Sequence, residues 1–482
     1  MKAVTLISTK GIIKFKKVAK PLTELTHFNN KITIAGSGPV GAMLAIILSR
    51  ENYLVDIFES RPDPRAHNAQ QGRSINITLS ERAWAALEII SLDKKVRQYA
   101  TPLYKRVFHS KSGSLTEQSY GKKNQAIWSI SREKLTEILI SQAEQEPQVN
   151  LHFEQRLTHI DFSTACTSFS YLKAGRKGHK EVDADYVFAA DGAFSKVRRL
   201  AQETPRFSYS QRYMEQSYIE LTIAANEDGS TKLSPHASHL WPRKDFLLVA
   251  LPNKDGSFTC TLYLNYRGET SFSSLITPRA VTDFFLHNFT DVMPLLENPI
   301  AEFLNKTPSP LFLVSADPWV INNKVTLIGD AAHAMLPFYG HGLNSSFEDC
   351  HVIAELIKLY NHDWKKILPA YYSQRKANTH AISELSNDYF FDISHFDNDE
   401  LLSKKIADKF ALKYPKLWPS IDQMVSLSRD ISYEKARAIS LEQKKIMTEI
   451  MKIKDIQLCW KKESVYQKLE KMALIRLLPL LK

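Results

Sequence analysis

Residues 31–59 have the sequence KITIAGSGPVGAMLAIILSRENYLVDIFE, and this stretch decides the fold. An apolar strand runs into a turn with Gly36, Gly38 and Gly41, a helix follows to about Arg50, and a second apolar strand ends at Glu59. Glycines at this spacing allow a tight turn, close approach of the backbone to a pyrophosphate and close packing of the helix on the sheet. The helix N-terminus attracts phosphates, and the terminal acid accepts hydrogen bonds from an adenosine ribose. The stretch therefore predicts a Rossmann-type dinucleotide-binding domain.

Two later glycine-containing segments also follow apolar strands. ADGAFSKVR occupies residues 190–198, and GDAAHAMLPFYGHGLN occupies residues 329–344. Because the carboxyl ends of parallel strands meet at one edge of a sheet, the three segments are expected to form one site. The sequence contains a single GxGxxG fingerprint, so a nicotinamide donor has no Rossmann domain of its own. This combination predicts an FAD site that a nicotinamide nucleotide visits transiently.

The order of the apolar runs predicts an interleaved α/β architecture for the 482 residues. The predicted fold is a Rossmann-type FAD-binding domain with an interleaved antiparallel-sheet substrate domain and a helical C-terminal region. Its predicted parts are a basic N-terminal extension (1–30), the FAD-binding domain (31–105, 132–204 and 310–360), the substrate-domain sheet (106–131 and 205–309) and the helical C-terminal region (361–482).

The net charge of +11 is confined to the two ends of the chain. Residues 1–31 carry a net charge of +6 and residues 440–482 a net charge of +5, so the body between them is neutral. A nucleic-acid-binding protein would carry its basic surface on the folded body, so no nucleic-acid partner is expected. The apolar stretch 472–481 is too short to be a transmembrane segment. We expect it to form a helix that packs back onto the folded body; the alternative is weak contact of the basic C-terminal tail with a membrane surface.

Four cysteines, at positions 166, 260, 350 and 459, show neither CxxC nor metal-ligand spacing. Reduced, mostly buried thiols are expected, which indicates a cytoplasmic protein, and no metal site is predicted.

The three glycine segments together resemble those of the single-component FAD-dependent aromatic hydroxylases. Five further stretches carry the resemblance, which runs from about residue 31 to 390 and weakly to 437: GRSIN (72–76), WPR (241–243), ALPN (250–253), SFTCTL (257–262) and FEDC (347–350). The resemblance implies a flavoprotein monooxygenase with FAD as cofactor, NADPH as co-substrate and O2 as oxidant. It also implies that a flavin hydroperoxide transfers oxygen to an aromatic ring, and no catalytic side chain is identified.

The resemblance assigns cofactor contacts beyond the glycines. Arg61 and Arg132 would meet phosphates, and Asp330 would meet ribitol hydroxyls. Asp191, with Arg198, would be a structural support and a docking contact for the nicotinamide donor. The full cofactor set is Gly36, Gly38, Val40, Gly41, Glu59, Arg61, Thr78, Arg132, Leu157, Asp191, Asp330, Leu343 and Asn344.

The substrate half both matches the family and departs from it. Arg106 and Tyr120 match residues that hold the carboxylate of an aromatic amino acid, and the matching pocket positions are Thr261, Tyr263, Pro337, Phe338 and Gly340. Three positions differ: a loop glutamine is His341, a helical asparagine is Tyr389, and a carboxylate-binding tyrosine is Asp422. An ionised Asp422 would repel the ligand's carboxylate or occupy Arg106. It would thus disfavour the usual substrate or favour a ligand with a cationic or neutral group at that end.

Three functions are therefore compatible with the sequence. The first is the family reaction with an altered substrate wall, and the second is hydroxylation of a different aromatic acid or amine. The third is a flavoprotein that oxidises NADPH without hydroxylating a substrate.

Overall fold

The structure is a computed structural model that describes residues 30–66, 75–173, 176–394 and 398–482. Residues 72–74 of the GRSIN stretch and almost all of the predicted N-terminal extension lie outside these ranges.

The strands in the described residues are β1 (Lys31–Ala35), β2 (Leu54–Phe58), β3 (Asn76–Leu79), β4 (Thr101–Leu103), β5 (Lys105–His109), β6 (Leu115–Ser119), β7 (Ile127–Ser131), β8 (Val149–His152), β9 (Gln155–Ile160), β10 (Thr167–Lys173), β11 (Arg176–Val182), β12 (Tyr186–Ala189), β13 (Ser208–Ile223), β14 (Ala237–Arg243), β15 (Phe246–Pro252), β16 (Phe258–Asn265), β17 (Ser309–Asp317), β18 (Val320–Ile321) and β19 (Val325–Leu327). The helices are α1 (Pro39–Arg50), α2 (Glu81–Ile89), α3 (Asp93–Arg97), α4 (Arg132–Gln145), α5 (Lys196–Ala201), α6 (Pro278–Asn288), α7 (Pro299–Asn305), α8 (Asp330–His333), α9 (Gly342–Leu359), α10 (Trp364–Ser394), α11 (Asn398–Lys413), α12 (Ile421–Val425), α13 (Tyr433–Met451), α14 (Ile456–Cys459), α15 (Glu463–Arg476) and α16 (Leu478–Leu481), with 3-10 turns at Met293–Leu295 and Pro337–Tyr339.

A six-stranded sheet forms the nucleotide-binding half, with the strand order β18-β19-β12-β1-β2-β8. The five strands from β19 to β8 are parallel, and β18 is an antiparallel edge. β1 is buried at every position after Lys31 because helices cover both faces of such a sheet. The three glycine segments leave the neighbouring strands β1, β12 and β19 at their carboxyl ends. This strand order brings the three glycine segments together at one edge of the sheet.

A seven-stranded sheet forms the second half, with the order β17-β13-β16-β15-β14-β5-β6. The β5–β6 hairpin joins it through β14, which pairs in parallel with β5. Its apolar side packs on α6 and α7 around Trp241, Phe258 and Phe285. The predicted fold class, a Rossmann-type FAD-binding domain with an interleaved antiparallel sheet and a helical C-terminal region, is confirmed.

The C-terminal helices have a core of their own, which includes Phe410, Tyr433 and Leu469. The apolar stretch near the C-terminus packs back onto α13, with Ala473 and Leu477 fully buried, and Arg476 pairs with two glutamates of that helix. Within the described ranges, no helix combines the length and the apolar character that crossing a membrane requires.

Candidate active site

The turn between β1 and α1 has the geometry of a pyrophosphate cradle. Gly36 has φ +100°, and a Cβ there would lie 2.5 Å from the Ala190 carbonyl oxygen. A Cβ at Gly41 would lie 2.0 Å from the Gly36 oxygen, whereas a Cβ at Gly38 would meet no atom within 4 Å. Gly36 and Gly41 are therefore required by the protein itself. Gly38 leaves an open approach to the start of α1, where the helix dipole attracts phosphate.

Glu59 lies just past the end of β2, with 6% of its surface exposed. Its carboxylate accepts hydrogen bonds from the Ser37 amide (3.1 Å), the Arg61 amide (2.9 Å) and Arg61 Nε (3.1 Å). Burial alone would raise the pKa of Glu59, but the Arg61 charge and these hydrogen bonds lower it. The carboxylate is thus ionised beside the glycine turn, and the exposed Arg61 guanidinium is accessible to a phosphate.

A second set of polar groups lies after β19. Asp330 is the first residue of α8, and its carboxylate bonds to no group in the described part of the chain. Asn344, near the start of α9, accepts a hydrogen bond from the Ser80 amide (2.7 Å) and donates to the carbonyls of Thr78 and Gly340 (both 2.8 Å). The Asn344 side chain is engaged by these bonds within the protein. The groups that this segment can offer a cofactor are therefore the backbone N–H groups at the N-terminus of α9.

Asp191 and Arg198 stabilise the segment after β12. Asp191 Oδ2 accepts hydrogen bonds from the amides of Lys196 (2.7 Å) and Val197 (3.1 Å) at the start of α5, while its buried Oδ1 has no hydrogen-bond partner among the described residues. Arg198 is 2% exposed and donates to the carbonyls of Ala331 (2.7 Å) and Ala193 (2.6 Å). Arg198 therefore links the second and third glycine segments, and its guanidinium is not exposed to a docking nucleotide.

The remaining predicted cofactor positions are distributed around these segments. Val40 lies next to Gly329: a Cβ placed at Gly329 would be 3.3 Å from Val40 Cγ2. Thr78 Oγ1 donates a hydrogen bond to the Gly340 carbonyl (3.1 Å). Arg132 is exposed at the start of α4, and Leu157 is 8% exposed on β9. Their contacts with a cofactor stay predictions.

These observations fit FAD. The open face at Gly38 would admit the pyrophosphate, and Glu59 would hold the adenosine ribose. The buried Asp191 Oδ1 lacks a hydrogen-bond partner among the described residues, and the partly exposed Asp330 carboxylate at the start of α8 can accept hydrogen bonds from ribitol hydroxyls. The helix start at Leu343 offers N–H groups.

A buried ion pair forms the substrate end of the site. Arg106 on β5 donates from Nη1 to Asp422 Oδ2 (2.6 Å) and from Nη2 to Oδ1 (2.8 Å), although 316 residues separate them. The Tyr339 hydroxyl donates to Asp422 Oδ1 (3.0 Å), and the Arg106 guanidinium lies over the rings of Tyr120 (4.1 Å) and Tyr389 (5.5 Å). These five residues are called the Arg106 cluster below. Asp422 therefore occupies Arg106, one of the two effects expected from the sequence.

Both members of the pair are ionised. Burial alone would lower the pKa of Arg106, but the Asp422 carboxylate holds it well above its ordinary value. Burial would likewise raise the pKa of Asp422, and the Arg106 charge and hydrogen bonds lower it instead. Arg106 is 6% exposed and Asp422 is 3% exposed, so each buried charge is stabilised by the opposite charge of its partner.

Aromatic rings pack next to the Arg106 cluster. Phe338 stacks on Phe390 with ring centres 4.2 Å apart, and it meets the Tyr263 ring edge-on at 5.0 Å. Thr261 lies two residues earlier on β16 and is half-buried, and Pro337 is exposed. The wall is apolar and suits an aromatic ring.

His341 connects the loop to the C-terminal helices. Its Nδ1 bonds the Tyr433 hydroxyl (3.1 Å) and its Nε2 bonds Ser426 Oγ (3.0 Å). Burial and the Arg82 charge lower its pKa to about 3, so the ring is neutral. Both nitrogens are occupied, and a substrate contact by His341 stays a prediction.

Sequence reasoning missed Tyr339 and a buried charge network. Tyr339 lies between two predicted positions, Phe338 and Gly340, so its place in the loop was a usable signal. In the network, Asp349 accepts from the Gly329 amide (3.1 Å), His333 Nε2 (2.6 Å) and Arg375 Nε (2.7 Å). No local pattern marks Arg375, which lies 26 residues further along the chain.

Residues 29–386 match the family model described as FAD binding domain. Together with the parallel sheet and its cradle, this match makes the chain a flavoprotein monooxygenase that binds FAD. A kynurenine 3-monooxygenase of Christiangramia forsetii is 41% identical over 442 residues, covering 91% of this chain and 97% of that protein. The Caenorhabditis elegans enzyme of the same name is 36% identical over 438 residues, covering 87% and 94%. The chain belongs to the kynurenine 3-monooxygenase family.

Solved structures share the fold at low identity. A 2-methyl-3-hydroxypyridine-5-carboxylic acid oxygenase matches with a TM-score of 0.61 at 18% identity, covering 75% of this chain and 91% of that one. Pseudomonas aeruginosa PqsL, in complex with 2-aminobenzoylacetate, matches with a TM-score of 0.62 at 16% identity, covering 76% and 97%.

Proposed function

We propose that the chain hydroxylates L-kynurenine at ring position 3. One L-kynurenine, one O2, one NADPH and one proton would give one 3-hydroxykynurenine, one water and one NADP+. The observation that carries the proposal is the 41% identity to a kynurenine 3-monooxygenase over nearly the whole length of both proteins. Those relatives give no support to a different aromatic substrate or to a non-hydroxylating oxidase.

The geometry supports a division of labour between cofactor and protein. Bound FAD would supply the chemistry: oxidation of the nicotinamide and transfer of one oxygen atom from O2. Arg106 would fix the amino-acid end of the substrate, and Phe338 and Tyr263 would flank its ring. The aromatic side chains around the substrate ring would keep water from the reacting atoms. No protein acid or base is needed for the oxygen transfer.

The test is an NADPH-consumption assay on the FAD-loaded enzyme with and without L-kynurenine. We expect L-kynurenine to stimulate consumption, and mass spectrometry to find nearly one hydroxylated product for each NADPH. Consumption matched by hydrogen peroxide, without hydroxylated product, would contradict the proposal and favour an NADPH oxidase. A parallel assay with NADH measures the preference between the two nucleotides.

We also infer a cytoplasmic location, supported by four unpaired thiols, of which Cys260 and Cys350 are buried. Weak contact of the basic tail with an anionic membrane surface is supported by the exposed side chains of Leu474 and Ile475 beside Lys471. Co-sedimentation with anionic and neutral vesicles tests this contact: binding to the anionic vesicles alone is expected, and binding to neither would contradict it.

A further inference from the structure

We propose that the Arg106 cluster recognises the substrate as a zwitterion, with Arg106 binding its α-carboxylate and Asp422 binding its α-ammonium group. This inference rests on the proposed function and narrows it to aromatic α-amino acids whose ammonium group is free. Asp422 thereby becomes a specificity-determining residue rather than an obstacle to binding.

The first argument is charge balance. The buried charged groups of the Arg106 cluster are one guanidinium and one carboxylate, so their formal charges cancel. A simple aromatic carboxylate would add an uncompensated negative charge beside Asp422, which is costly in a buried site. An α-amino acid zwitterion adds one charge of each sign, so the occupied cluster stays neutral. A neutral side chain at position 422 would instead leave Arg106 suited to a carboxylate alone.

The second argument is hydrogen-bonding capacity. Asp422 Oδ1 accepts from Arg106 Nη2 and from the Tyr339 hydroxyl, whereas Oδ2 accepts only from Arg106 Nη1 among the described residues. An ionised carboxylate accepts about two hydrogen bonds per oxygen, so Oδ2 has room for an ammonium donor. The guanidinium likewise has N–H groups beyond the two that bond Asp422.

The third argument is placement. An α-amino acid carries its two charges on neighbouring atoms, so they can contact two protein groups that already lie side by side. The rings of Tyr120 and Tyr389 flank the guanidinium and restrict the directions from which a ligand can approach. The ligand's charged end would therefore meet Arg106 and Asp422 together.

The experiment is a binding titration of the FAD-loaded enzyme without NADPH, by calorimetry. The ligands are L-kynurenine and its deaminated analogue, which keeps the ring, the ketone and the carboxylate. We expect L-kynurenine to bind at least about tenfold more tightly, the size of one charge-assisted hydrogen bond. Equal binding of the two ligands, or no binding of either, would overturn the inference.

Variants then assign the preference to Asp422. Asp422→Asn and Asp422→Tyr should each bring the affinity ratio of the two ligands close to one, and either variant alone is sufficient if the other does not fold. Asp430→Asn, the same change at an exposed position, should keep the ratio. A preference that survives both Asp422 substitutions would place ammonium recognition elsewhere and overturn the inference. Because binding is measured without turnover, failure of the proposed function would appear separately, as intact selectivity without hydroxylated product.

Discussion

Glu59 joins the glycine turn to the second strand through a buried carboxylate. It accepts hydrogen bonds from Ser37 and Arg61, and its lowered pKa keeps it ionised at neutral pH. Glu59→Ala should weaken FAD binding by ~1.5–3 kcal/mol, the size of one charged hydrogen bond. Fluorescence titration of the apoprotein with FAD measures this change. Glu181→Ala, at an exposed position on β11, is the control and should bind FAD normally. Normal FAD affinity in Glu59→Ala would contradict a ribose contact.

Arg106 makes a bidentate contact that lysine cannot reproduce, because a single ammonium lacks the planar fork. Arg106→Lys should raise the dissociation constant for L-kynurenine by about tenfold or more while the flavin absorbance spectrum stays normal. Spectral titration of the FAD-loaded variant measures both properties. Arg156→Lys, on the exposed side of β9, should leave both unchanged. Unchanged binding in Arg106→Lys would mean that Arg106 serves only its pair with Asp422.

In the β1–turn–α1 element, Gly41 is needed for packing of the protein itself, whereas Gly38 is needed for access of the cofactor. A Cβ at Gly41 collides with the backbone, whereas a Cβ at Gly38 enters open space, and Gly38 has φ −63°, which any residue adopts. Gly41→Ala should therefore destabilise the apoprotein by roughly 1–3 kcal/mol or more. Gly38→Ala should leave its stability unchanged but raise the FAD dissociation constant by about tenfold or more, because the methyl group obstructs the pyrophosphate.

Thermal melting of the apoprotein and FAD titration of each variant separate these effects. Gly113→Ala is a poor control because φ there is +84°. The unmodified apoprotein is the reference instead. Tight FAD binding in Gly38→Ala would show that the pyrophosphate does not pass this face of the turn.

Local spacing explains which elements could be predicted from the sequence. The glycine turn, Glu59 and the strand ends at Asp191 and Asp330 each depend on neighbours a few residues away, and all lie at the carboxyl edge of one sheet. Family resemblance placed Arg106 and Asp422 in one pocket, but only the fold shows that they bond each other. The partners of His341 come from the C-terminal helical region, where no periodicity or motif indicates which polar group will face which loop.

Buried neutral histidines couple the stability of the whole molecule to pH. His341 joins the loop after β19 to the C-terminal helices, and its pKa is lowered to about 3 by burial and by Arg82. His239, in the seven-stranded sheet, bonds His109 (2.9 Å), and burial is the main cause that lowers its pKa to about 4. Both values lie below the ordinary 6.5, so between about pH 6.5 and pH 4 the unfolded chain binds protons that the folded chain does not.

Above pH 6.5 these two histidines should not reduce the free energy of unfolding. Below pH 6.5 the free energy of unfolding should fall by about 1.4 kcal/mol per pH unit for each histidine. Buried carboxylates with lowered pKa values, such as Asp349 and Asp422, lose their contribution only below about pH 4, so they do not affect this window. Urea unfolding should therefore show lower stability at pH 5 than at pH 7.5, with roughly 2 kcal/mol of the difference from each of His341 and His239.

His341→Gln tests how much of the pH dependence of stability comes from His341, because glutamine does not bind a proton in this pH range. The variant loses hydrogen bonds to Tyr433 and Ser426 and will be less stable at both pH values. The informative quantity is therefore the difference between pH 7.5 and pH 5, which should shrink by roughly 2 kcal/mol. His159→Gln, at an exposed position on β9, should keep the full difference. If His341→Gln also kept the full difference in stability between the two pH values, the folded chain would tolerate protonation of the His341 ring. The link between the loop and the C-terminal helices would then not depend on a neutral histidine.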